Sequence, residues 1–193
     1  MKDFIVIDDA VSKSYQDLIE ARTLKNENFP WYYVPSVTVA SATELESDSF
    51  GLAHLFYDSS RPNPETSSIY NFLVPMVYES CYKAGYTPRE ILYGRVFTTF
   101  AEQEQTRNLF HTDVTFQHMV CLYYVNDSSG STVITSLKNN EYTRDRVNSL
   151  QQVPILTEVE PKKGRAVIFN GSLYHASTSP LKGRRCIINI GWK

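Results

Sequence analysis

Phe110-His111-Thr112-Asp113 is the sharpest chemical feature of this 193-residue sequence. On an extended backbone, residues two apart point to the same side, about 7 Å apart, so an imidazole and a carboxylate there can converge on one metal ion. Alone, the motif is weak: with 4 His and 9 Asp in the chain, chance gives roughly one H-x-D in five such sequences. A second feature strengthens it. Pro161-Lys162-Lys163-Gly164 reads as a turn and Arg165–Phe169 as a strand, and His175 follows six residues on, within Tyr174-His175-Ala176-Ser177. A histidine after a strand end, on a short Gly-Ser loop, is placed to enter the mouth of a barrel as a third ligand. Two histidines and one carboxylate leave three positions open on one face of an octahedral metal, which suits Fe(II) and O2. Zinc usually takes four closed ligands, or three with a water in hydrolases.

A third feature is cationic. Pro180-Leu181-Lys182-Gly183-Arg184-Arg185 leads into a strand over Cys186–Trp192. A guanidinium grips a carboxylate with two parallel hydrogen bonds, so an inward arginine here would anchor the distal carboxylate of a co-substrate whose 2-oxo acid end chelates the metal. Strand neighbours face opposite sides, so only one of Arg184 and Arg185 can serve. Arg185 is favoured, with Ile187 and Asn189 on the same inner face, and Arg184 is the alternative. The remaining polar candidates have plainer readings. His118 and His54 are structural. Arg95 is read as solvated, with an inward orientation toward an acidic substrate as its alternative. Trp31, Tyr32 and Tyr33 read as an edge-strand core cluster rather than a substrate entrance.

The elements that must position these groups are legible in outline. Phe4–Ile7 is a short strand, Asp8-Asp9 a turn, and Ser12 or Ser14 caps a helix carrying Tyr15, Leu18, Ile19 and Arg22. Residues 28–40 form a loop entering an edge strand, punctuated by Pro30 and Pro35. Helical spacing returns over residues 66–84, with Pro75 as an expected kink. From residue 90 the pattern turns to strand: Ile91–Phe100, Phe116–Asn126, Thr132–Leu137, Val153–Val159, Arg165–Phe169 and Cys186–Trp192, bounded by turn residues. Helices followed by a run of strands predict a sheet sandwich or barrel with the helices outside one sheet. Loops 28–66, 101–110 and 138–152 are expected around the mouth, the last of them solvated.

Composition narrows the function class. Hydrophobic residues make up 42% and charged residues 21%, ordinary for a globular fold, and the length suits a single domain spanning 1–193. A net charge of −2 offers no basic field for non-specific nucleic-acid binding. Cys81, Cys121 and Cys186 form no C-x-x-C pair and read as buried thiols in a reducing compartment. No stretch approaches the roughly 20 apolar residues of a membrane helix. The opening residues do not read as a signal peptide, so a soluble, cytoplasmic protein is expected.

The order H-T-D, then P-K-K-G-R-A-V-I-F, then Y-H-A-S, then G-R-R-C-I-I-N-I resembles the 2-oxoglutarate/Fe(II)-dependent oxygenases, in particular their prolyl-hydroxylase-like branch. The resemblance covers about residues 90–193, with a fainter echo in F-I-V-I-D-D-A-V-S. It implies a mainly β (α+β) fold, a double-stranded β-helix (jelly-roll) core with N-terminal helices packed on one sheet. It also implies His111, Asp113 and His175 as Fe(II) ligands and catalytic residues, and Arg185 (or Arg184) as the 2-oxoglutarate anchor. Cys121-Leu122-Tyr123-Tyr124 is similar to a family strand whose second tyrosine bonds the same carboxylate, here Tyr124. Phe100 departs from the pattern, since relatives often carry a co-substrate-binding tyrosine there. The implied activity is a dioxygenase using O2, releasing succinate and CO2 and hydroxylating a peptidyl residue, amino acid or other small metabolite. The alternatives are a cupin-like metal-binding jelly-roll without oxygenase activity, or a binding module. Cupin sites usually use more histidines and need no anchoring arginine.

Overall fold

The strands of this protein alternate cleanly between two faces, and that alternation builds its architecture. The computed structural model describes residues 2–38 and 49–193; part of the expected mouth loop, residues 39–48, lies outside the described residues. The N-terminal half contains β1 (Phe4–Ile7), α1 (Lys13–Arg22), β2 (Tyr32–Val34), β3 (Gly51–Asp58), α2 (Tyr70–Lys83) and β4 (Ile91–Phe100). The C-terminal half contains β5 (Met119–Tyr124), β6 (Thr132–Lys138), α3 (Arg144–Asn148), β7 (Ile155–Val159), β8 (Ala166–Asn170), β9 (Leu173–Ser177) and β10 (Arg184–Trp192). A seven-stranded sheet runs β1-β8-β5-β10-β4-β3-β2, and a three-stranded sheet runs β7-β6-β9. All pairs are antiparallel.

One face of the large sheet carries the helices. Cys121 and Tyr123 of β5, Ile168 of β8 and Cys186, Ile188 and Ile190 of β10 pack with Ile19 of α1 and Leu73, Met76, Val77 and Cys81 of α2. The opposite face meets the small sheet: Val120, Leu122 and Tyr124 of β5, Val167 and Phe169 of β8 and Ile187 of β10 cluster with Ile134, Val159 and Leu173. Each fully buried aliphatic side chain here contributes about 1.5–3 kcal/mol of hydrophobic stabilisation. This is the predicted jelly-roll sandwich with its helices outside one sheet.

Local chemistry explains the helix ends. Ser12 caps α1, its hydroxyl accepting from the Tyr15 N–H at 3.4 Å. Helix α2 continues through Pro75, whose missing N–H forgoes the bond that the Asn71 carbonyl would otherwise accept.

Four expectations change. Gly51–Asp58, expected as part of a mouth loop, is strand β3, paired along its length with β4. Strand β5 begins at Met119 rather than Phe116. The loop at 138–152 contains the short helix α3. Tyr32 and Tyr33, expected in a core cluster, are 64% and 66% exposed on the edge strand β2, while Trp31 packs on Phe29 at 4.7 Å. Cys81, Cys121 and Cys186 are buried and unbridged. Among the described residues no helix is long and apolar enough to cross a membrane.

The sheet is tight where Gly94 of β4 faces Phe56 of β3, which is fully buried; a Cβ at Gly94 would lie 2.2 Å from the Phe56 ring. Replacing Gly94 with Ala should overpack the interface and cost about 1–3 kcal/mol, measured as a lowered urea midpoint. A variant as stable as the parent would show that the two strands have room to separate.

Candidate metal centre

His111 and His175 are cross-strand neighbours. Their backbones exchange both hydrogen bonds, His111 N–H to His175 O at 3.0 Å and His175 N–H to His111 O at 2.9 Å. A reciprocal pair of this kind puts the two side chains on one face, and the rings stand 4.5 Å apart. On its other side His175 pairs with Ile134 of β6. His175 therefore sits in the middle of β9, not on a loop beyond a strand end as expected from sequence; only the turn at Gly171-Ser172 precedes the strand. Both imidazoles are oriented by the carbonyl two residues earlier. Nδ1 of His111 lies 3.3 Å from Leu109 O, and Nδ1 of His175 lies 3.1 Å from Leu173 O. A carbonyl only accepts, so Nδ1 carries the hydrogen and Nε2 keeps its lone pair for a ligand.

Asp113 is held from the opposite sheet. Its side chain is 3% exposed and takes hydrogen bonds from Tyr93 Oη at 2.9 Å and Arg95 Nη2 at 2.5 Å, both on β4. Asn189 of β10 adds its amide N–H groups at 3.2 Å to each oxygen. His175 Nε2 is 3.6 Å from Asp113 Oδ2. The donor atoms of His111, Asp113 and His175 all lie within 4.8 Å of one another, so the three could hold a metal ion.

The protonation states suit that role. Burial, with the neighbouring His175, pulls the His111 imidazole down to about 3, leaving it neutral. Burial alone would raise the Asp113 carboxyl, but the Arg95 guanidinium and the His175 side chain hold it well below the usual carboxylate range. Two imidazoles and a carboxylate are a donor set that suits a non-haem metal site.

The second half of the site is Arg185. It is 2% exposed, and its Nε and Nη2 donate to Gly130 O at 2.8 Å and Thr132 Oγ1 at 2.7 Å. No carboxylate pairs with it among the described residues. Burial drags its pKa below the ordinary arginine value. A buried cation without a counter-ion is costly, so the site fits an anion from outside the protein. Gly130 permits this packing, since a Cβ there would lie 2.5 Å from Thr178 O and 3.0 Å from Arg185 Cδ. Arg185, Ile187 and Asn189 line a narrow inner cavity of about 40 Å³ together with His111, His175 and Thr132. Arg184 faces away, exposed, and donates to Leu24 O at 3.4 Å.

An outer cavity of about 730 Å³ shares Arg95, Phe97 and His111 with the inner one. Its wall includes Asn139, Asn140, Tyr142 and Arg144, so the loop expected to be solvated lines the cavity. Segment 101–110 contributes nothing to that wall among the described residues.

Some individual readings shift, and those of His118 and His54 hold. Tyr124 does not line the inner cavity. Its hydroxyl lies 2.7 Å from Thr132 Oγ1 and 3.2 Å from Val159 O, so its hydrogen is spent within the protein. Thr132, unremarked in the sequence, is the residue that reaches the cavity beside Arg185, and nothing short of the strand pairing could have singled out one threonine. Arg95 points inward, not to solvent. His118 bonds Phe116 O at 2.9 Å and His54 bonds Pro30 O at 2.8 Å; neither joins the cluster. Phe100 stacks on Phe50 at 5.7 Å.

The lowered His111 pKa has a consequence for the metal-free protein. Between about pH 6.5, the unfolded value, and about 3, the unfolded chain binds a proton that the folded His111 refuses. Stability therefore falls as pH drops through that window, by up to about 1.4 kcal/mol per pH unit. His111→Gln should flatten this slope by close to one proton, measured by urea unfolding from pH 7 to 4.5. An unchanged slope would place the imidazole in water.

No family model and no curated protein matches the sequence. Solved structures do match in shape. An oxidoreductase of the 2OG-Fe(II) oxygenase family from Burkholderia pseudomallei aligns over 99% of this chain and 85% of its own, at 10% identity and a TM-score of 0.68. A prolyl hydroxylase from Trichoplax adhaerens, in complex with a hypoxia inducible factor peptide fragment, covers 100% of this chain and 84% of its own, at 12% identity and a TM-score of 0.61. HygX from Streptomyces hygroscopicus, with nickel and 2-oxoglutarate bound, covers 98% of this chain and 82% of its own, at 12% identity and a TM-score of 0.63. With its two antiparallel sheets and a His-Asp-His cluster between them, the chain has the fold of the 2OG-Fe(II) oxygenases.

Proposed function

We propose that this protein is a 2-oxoglutarate- and Fe(II)-dependent dioxygenase that hydroxylates a small substrate with release of succinate and CO2. The observation that carries the reading is the pairing of two buried features across one cavity. Three metal donors lie within 4.8 Å of one another, and a buried arginine with no counter-ion among the described residues shares the inner cavity with the two histidines. A dicarboxylate with a 2-oxo acid at one end is the simplest ligand to satisfy both. Fold neighbours include one whose structure holds nickel and 2-oxoglutarate.

Each residue then has a defined task. His111, Asp113 and His175 would hold the metal, and a three-ligand set would leave it able to take a co-substrate. Arg185 grips the distal carboxylate of 2-oxoglutarate, with Gly130 O and Thr132 Oγ1 keeping its guanidinium in place. Tyr124 acts through Thr132 as a positioning residue rather than a direct contact. Leu122, Phe97 and Ile187 line the inner cavity and exclude water from it. When bound, Fe(II) with 2-oxoglutarate and O2 supplies the oxidising power for C–H hydroxylation. The protein's contribution is geometry and desolvation.

Succinate formation is the direct test. His111→Ala or Asp113→Ala should abolish 2-oxoglutarate turnover while the domain stays folded by circular dichroism. Arg185→Ala should raise the KM for 2-oxoglutarate by about tenfold or more, the loss of a charge-assisted pair worth about 1.5–3 kcal/mol, whereas Arg184→Ala should not. Full succinate production by either metal-ligand variant would defeat the assignment.

A further inference from the structure

Among the described residues, Arg95 is the one charged group placed at the junction of all the cavities around Asp113. It lines the inner cavity, the outer cavity and a third cavity of about 280 Å³ that reaches Asp113 past Tyr93. Its side chain is 33% exposed, against 3% for its partner Asp113. Among the described residues its only hydrogen bond is the single Nη2 contact to Asp113 Oδ1. A guanidinium offers five N–H donors in a planar fork, so most of its donor capacity is unspent at a cavity wall.

Charge balance indicates what should meet it. In the loaded site the divalent metal, Arg95 and Arg185 are positive, while Asp113 and the two carboxylates of 2-oxoglutarate are negative, and the imidazoles are neutral. Among the described groups one positive charge is left over, at the wall of the outer cavity. Glu141 and Arg144 of the outer wall add one charge of each sign, so the sum over the described residues is unchanged. The rest of that wall sets polar Ser36, Thr112, Asn139 and Asn140 beside apolar Val34, Val37, Ala53 and Phe97. A cavity of about 730 Å³ suits a small molecule rather than a folded partner.

Resting on the oxygenase reading, we propose that the substrate is a small carboxylic acid and that Arg95 is its anchor. The guanidinium keeps one N–H on Asp113 and presents its remaining edge to the substrate carboxylate, so a single side chain ties the substrate to the metal ligand. Arg95 is thereby a specificity-determining residue for anionic substrates, which an uncharged analogue cannot satisfy.

The test uses the protein loaded with redox-silent Zn(II). Adding 2-oxoglutarate first, by calorimetry, tests the oxygenase reading alone; failure to bind removes that reading and this inference with it. Into the Zn(II)–2-oxoglutarate complex, free amino acids, hydroxy acids and N-acyl amino acids are then titrated, each beside its primary amide. Binding is followed by heat and by the side-chain Nε–H resonance of Arg95. The expected result is at least one acid that binds at least tenfold more tightly than its amide and shifts that resonance. In Arg95→Gln the preference for acid over amide should vanish, and Arg95→Lys should restore part of it. With 2-oxoglutarate bound, three outcomes would overturn the inference. These are equal affinity for acid and amide, no acid that moves the Arg95 resonance, or an Arg95→Gln protein that keeps the acid preference.

Discussion

The Asp113 carboxylate lies between the two sheets, hydrogen-bonded to the large one and 3.6 Å from His175 Nε2 of the small one. Tyr93 and Arg95 of β4 and Asn189 of β10 hold its oxygens from the large sheet. His111 and His175, joined by their own backbone bridge, belong to the small sheet through Ile134 of β6. A carboxylate buried to 3% exposure is tolerable only when its charge is paired and its lone pairs are satisfied. The sandwich must therefore close in one register for the site to exist, because a slip of one residue on β4 or β10 would turn Arg95 or Asn189 toward the helices.

The same register governs the other end of the cavity. Arg185, Ile187 and Asn189 alternate with Cys186, Ile188 and Ile190 along β10, and the second set is locked into the helix-facing core with Leu73, Met76 and Val77. Hydrophobic burial on one face thus fixes where the arginine points on the other. Gly130 and Thr132, on the turn and strand opposite, receive the guanidinium. An apolar core and a charged cavity are consequences of one pleat.

Much of this is written in local pattern. Strands 91–100 and 184–192 are dense in β-branched and aromatic residues, and period-two alternation alone separates Arg185 from Arg184. The H-x-D spacing shows two donors close together. What local pattern lacks is pairing information. His175 looks like a loop residue after a strand because the partner that makes β9 a strand, β6, lies well back in the chain. Gly51–Asp58 mixes glycine, histidine and aspartate with its apolar residues, so it reads as loop until β4 is seen beside it. Arg95 reads as solvated, as most strand arginines are, and only the fold brings Asp113 to it. Tyr124 matches a family position, yet Thr132 stands between its hydroxyl and the cavity.

The account stands or falls on whether one pocket chelates a metal and a 2-oxo acid together. Adding Fe(II) and 2-oxoglutarate to the protein under nitrogen measures this without any substrate. A weak visible charge-transfer band that saturates at one equivalent of each, and needs both, is the predicted result. A spectrum that is merely the sum of its components would contradict it.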